Sequence, residues 1–71
     1  MPDKNLLRSY IAKAGLTQRK LAAIIGMSEN TLSSRMSGKT QFNTAEIENI
    51  CDVLGIKDGA SKASIFLPGT S

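Results

Sequence analysis

The amino-acid sequence predicts an all-α fold, a compact domain of five short helices. Three observations lead there. Gly15, Gly26, Gly38 and Gly55 each follow a segment with helical periodicity, where a chain commonly leaves a helix through a left-handed residue. Each segment begins, one helix length earlier, at a residue suited to cap the free N–H groups of a first turn. Ile47, Ile50, Cys51 and Leu54 recur at i, i+3, i+4 and i+7, the cleanest amphipathic pattern in the chain.

Asp3 caps a first helix whose Leu6, Leu7, Tyr10, Ile11 and Ala14 fall on one side, and Gly15 stops it. Thr17 caps a second, with Leu21, Ala22 and Ile25 as its inward stripe. After the turn Gly26-Met27-Ser28, Ser28 caps a third helix whose narrow apolar edge is Leu32 with Met36, spaced i and i+4. Lys39-Thr40-Gln41-Phe42 is a loop with one anchor, Phe42. Asn43 or Thr44 caps the fourth helix; with Asn43 as the cap, Glu46 stands where a capping-box partner belongs. Asp58 or Ser61 starts a short fifth helix carrying Ala63, Ile65 and Phe66, and Pro68-Gly69 ends regular structure. Ile65, Phe66 and Leu67 are more apolar bulk than one short helix buries, so the tail either folds over the core or joins a dimer contact. With no internal repeat, low-complexity tract or long linker, residues 1–71 read as a single domain, built on the helix pair at 17–38 and ending in a less regular tail at 56–71.

A chain of 71 residues buries only about 60% of the surface that its unfolded form exposes, and 41% hydrophobic content suffices for that core. The net charge of +3 permits a polyanionic partner without requiring one. There is no histidine, and Cys51 is the one cysteine, which excludes an internal disulfide and a Cys/His metal cluster. Cys51 lies on the apolar stripe of the fourth helix and reads as core, as do Tyr10 and Phe42. No signal peptide or membrane span is legible, so the expected setting is reducing, and cytoplasmic or DNA-associated.

The stretch 17–38 carries the most information. Ala22 puts a small residue in the middle of its first helix, where the second crosses closest. Gly26 stands at the turn, where a left-handed backbone costs another residue roughly 1–2 kcal/mol. Leu21, Ile25, Met27 and Leu32 supply the apolar positions. A lone Ala-x-x-x-Gly carries little weight, but these features at fixed spacing, with both caps and flanking helices, are specific. Segment 18–37 resembles the helix-turn-helix of the Cro/repressor (XRE-type) family of bacterial and phage DNA-binding proteins, and the five helical signals match that family's lambda-repressor-like domain. The last turn departs from the pattern: Arg35 stands where the family usually has an apolar residue, and Met36 where glutamate is common. Met36 is expected to take the inward contact, leaving Arg35 to lay its stem over the surface and offer its guanidinium to DNA.

The resemblance implies a site. In that family the recognition helix enters the major groove while the preceding helix lies across the backbone. Glu29, Asn30 and Ser34 match the base-reading positions, with Ser33 in addition; Asn30 suits a bidentate contact with adenine and Glu29 acceptance from cytosine. Gln18 and Ser28 match helix-start residues that meet phosphate; Thr17, Arg19, Thr31 and Arg35 extend that backbone set, and Lys39 and Thr40 match the loop that grips the backbone afterwards. Gln18, Arg19 and Lys20 also suit a plain solvated helix face, and Glu29 a favourable dipole contact without a base.

The resemblance therefore implies a sequence-specific double-stranded DNA-binding transcriptional regulator, a Cro-like repressor. It would read a near-palindromic operator as a homodimer, formed in solution or only on DNA, with no catalytic residue, metal or cofactor. The alternative from another class is an antitoxin or protein-interaction module on the same fold, which would bind duplex weakly and with little sequence preference.

Overall fold

A computed structural model describes residues 2–67. In chain order these form α1 (Lys4–Lys13), α2 (Gln18–Ile25), α3 (Glu29–Met36), α4 (Thr44–Leu54) and α5 (Gly59–Phe66). The described residues contain no strand.

Every helix starts on a side-chain cap. Asp3, Thr17, Ser28, Asn43 and Asp58 each accept a hydrogen bond from the backbone N–H three residues on. Asn43 is thus the cap of α4, and its box is complete: Glu46 N–H donates to Asn43 Oδ1 at 2.8 Å, and Asn43 N–H to Glu46 Oε1 at 3.0 Å. Asp58, rather than Ser61, caps α5. Hydrogen bonds from the Ser61 N–H and hydroxyl hold its carboxyl below the ordinary carboxylate range.

The first four helices end alike. Gly15, Gly26, Gly38 and Gly55 all have φ between 72° and 84°, the left-handed region. The residue after each glycine bonds back to the helix: Leu16 N–H to Ile11 O, Met27 N–H to Ala22 O, Lys39 N–H to Ser34 O, and Ile56 N–H to Cys51 O. This is the six-to-one closure of a Schellman motif, which satisfies carbonyls the helix leaves free.

The core is Leu7, Ile11, Leu21, Ala22, Leu32, Met36, Ile50, Cys51, Ile56, Ile65 and Phe66, drawn from all five helices and the α4–α5 link. Met36 is 2% exposed, so it makes the inward contact expected of it. Phe42 packs edge-on against Phe66, ring centroids 5.2 Å apart, and so fixes the α3–α4 loop to α5. Burial pushes the Cys51 thiol above its ordinary pKa and keeps it neutral, with Lys62 opposing and Asp52 reinforcing the shift. Asp3 N–H donates to Ile65 O at 2.7 Å, tying the start of α1 to the last turn of α5.

One expectation shifts. Ala14 and Ala63 are exposed: Ala14 is the C-cap beyond the last residue of α1, and α5 turns only Ile65 and Phe66 into the core. Of the apolar triplet, Ile65 and Phe66 lie in the core, whereas Leu67 stands 58% exposed. Pro68 and Gly69 lie outside the described residues. Among the described residues no helix is long and apolar enough to cross a membrane.

Gly26→Ala tests the α2–α3 turn. Nothing lies within 4 Å of an added Cβ, so the cost is that of the positive φ alone, about 1–2 kcal/mol. Denaturant unfolding should show a lower midpoint with an unchanged slope.

Candidate nucleic-acid interface

The interface is organised by α2 and α3, joined through Gly26. Ala22, 1% exposed, lets the two helices meet closely, and its carbonyl accepts the Met27 N–H at 2.9 Å. At the start of α3 the Ser28 hydroxyl accepts the Thr31 N–H at 3.1 Å and donates to Thr31 Oγ1 at 2.8 Å. Ser28 and Thr31 are thus already engaged with each other. Helix geometry leaves the N–H groups of Glu29 and Asn30 without intrahelical acceptors, a partial positive charge that favours an anion.

Leu32 and Met36 occupy the inward edge of α3, which orients everything else. Glu29, Asn30, Ser33 and Ser34 then fall at i, i+1, i+4 and i+5, a continuous outward strip. The first three are exposed and Ser34 half-buried. The strip carries one carboxylate, one carboxamide and two hydroxyls, a mixed set of donors and acceptors that matches the chemistry of base edges. On α2, Thr17 accepts the Lys20 N–H at 3.1 Å, Gln18 is half-buried, and Arg19 and Lys20 are exposed.

The loop after α3 folds back on it. The Ser34 carbonyl accepts the Lys39 N–H at 2.9 Å, the Thr40 N–H at 3.3 Å and the Ser37 hydroxyl at 3.2 Å. Lys39 and Thr40 are therefore held beside the C-terminal end of the outward strip, with both side chains exposed.

Arg35 departs from its expected outward pose. Its Nε lies 2.9 Å from Glu46 Oε1 and its Nη1 donates to Thr40 Oγ1 at 3.0 Å. The Nε contact is an ion pair rather than an aligned hydrogen bond, because the buried Nε finds no acceptor in hydrogen-bond geometry. The carboxylate of the capping box attracts the guanidinium back toward α4, and two of its nitrogens face protein. Sequence reasoning placed Glu46 in the capping box and missed this second role. The available signal was a cation at the position that the family keeps apolar, which calls for a counter-charge nearby.

A family model described as helix-turn-helix matches residues 7–59, the span that holds α2, α3 and every side chain of the strip and loop. The chain belongs to the helix-turn-helix family. It is of the XRE type, a family of DNA-binding transcription regulators. No curated protein and no solved structure matches this helix-turn-helix chain.

Proposed function

We propose that this helix-turn-helix protein is a Cro-like repressor, residues 1–71 forming a single domain, which reads a near-palindromic operator through the major groove as a homodimer. The observation that carries the reading is the outward strip of Glu29, Asn30, Ser33 and Ser34 on a helix anchored by two buried side chains. In this arrangement α3 lies in the groove and the free N–H groups at the starts of α2 and α3 face phosphates, beside Thr17, Gln18, Arg19, Ser28 and Thr31. Lys39 and Thr40 take the backbone beyond the strip. Asn30 bonds adenine through its carboxamide, Glu29 accepts from cytosine, and the serines accept or donate. Leu67 offers apolar surface for the partner copy, in the lining of a groove of about 360 Å³ that also includes Phe42, Ile47 and Phe66.

Selection of bound duplexes from a random pool is the deciding experiment. A palindromic consensus with half-sites about one helical turn apart is expected; an unenriched pool would sink the repressor reading. On the selected site, Asn30→Ala should cost about 1–3 kcal/mol and relax preference at one position, and equal losses on random DNA refute the assignment. Lys39→Ala should weaken specific and random duplexes alike and flatten the salt dependence by about one unit of slope.

A further inference from the structure

Arg35 is the one cation among the described residues that sits in an ion pair, and its side-chain contacts together join three segments. Its guanidinium leaves the last turn of α3, reaches Thr40 in the loop through Nη1, and meets Glu46 in the first turn of α4 through Nε. The arginine and glutamate side chains are only 23% and 17% exposed. Glu46 Oε1 is also the acceptor of the Asn43 N–H, so a single carboxylate oxygen closes both the capping box and the pair.

The loop between the helices is held at its start by the Ser34 carbonyl and at its end by the cap of α4. Between those points the side chain of Thr40 is tied by Arg35. We propose that Arg35 is a positioning residue for this loop: it sets Lys39 and Thr40 against phosphate through its pair with Glu46, and does not itself bind DNA. The inference rests on the reading of Lys39 and Thr40 as backbone contacts. Its physical content is pre-organisation, since a loop ordered before binding loses less entropy when its cation meets a phosphate. A guanidinium that turned to the duplex would also abandon a largely buried carboxylate, which disfavours the outward pose.

The test measures affinity for a random-sequence duplex across salt concentrations with R35M, E46Q, K39A and R35M/K39A. Methionine keeps an apolar stem over the core, and glutamine retains the capping box, so E46Q serves even if R35M folds poorly. R35M and E46Q should each lose about eightfold in affinity at 0.1 M salt and about one unit of salt slope, the worth of one phosphate contact. R35M should add nothing in the K39A background. Were Arg35 a direct contact, E46Q would free its charge and remove a repulsive one, giving tighter binding and a steeper slope; that result, or no change, overturns the proposal. An unchanged slope in K39A overturns the phosphate reading of Lys39 instead. Amide exchange of residues 39–42 in the free protein then judges the positioning role alone: faster exchange in E46Q supports it, and unaltered exchange rejects it.

Discussion

Leu32 and Met36 are the attachment on which the outward strip of α3 depends. An isolated helix shorter than about 12–15 residues is marginal in water, and α3 has eight residues. It persists because these two side chains, one turn apart, are sunk into the core. Truncating a buried residue of this size typically costs about 2–5 kcal/mol, a large share of what so small a domain has. The narrowness of the edge matters as much as its depth. A wider apolar face would consume the positions that now point outward.

Economy of this kind recurs at the helix ends. Four of the five helices are ten residues or fewer, so end effects weigh heavily in each. Caps at the starts and left-handed glycines at four of the ends satisfy backbone groups that a short helix would otherwise expose. The same closures aim the chain. Gly26 fixes the angle between α2 and α3, and Gly38 returns the loop to the Ser34 carbonyl, so backbone accounting and interface geometry have a common cause.

Local signals were legible in the sequence and distant pairings were not. Caps, glycine stops and the i, i+4 spacing of Leu32 and Met36 depend on residues a few positions apart, and they marked the helices and the outward strip. The choice of Asn43 over Thr44, and of Asp58 over Ser61, needed coordinates because both members of each pair are competent caps. Arg35 turned inward because of Glu46, on another helix, whose carboxylate already had a local use that concealed the second. Leu67 fell outside because the last turn of α5 accommodates two bulky side chains against α1 and Phe42. That three such residues exceed one short helix was legible; which of them would be left outside was not.

The shared carboxylate of Glu46 bears on how this scaffold could be given a new set of outward side chains on α3. Glu29, Asn30 and Ser33 touch solvent rather than the core, so their side chains are exchangeable modules on a fixed support. Ser34 is exchangeable too, because its structural work is done by its carbonyl. Arg35 belongs to a different unit of inheritance. It is coupled to an acid beyond the loop that also nucleates the next helix, so a graft of α3 alone would sever a linkage whose other half stays behind. The natural boundary of a transplantable α3 therefore runs past the end of the helix and into the first turn of α4.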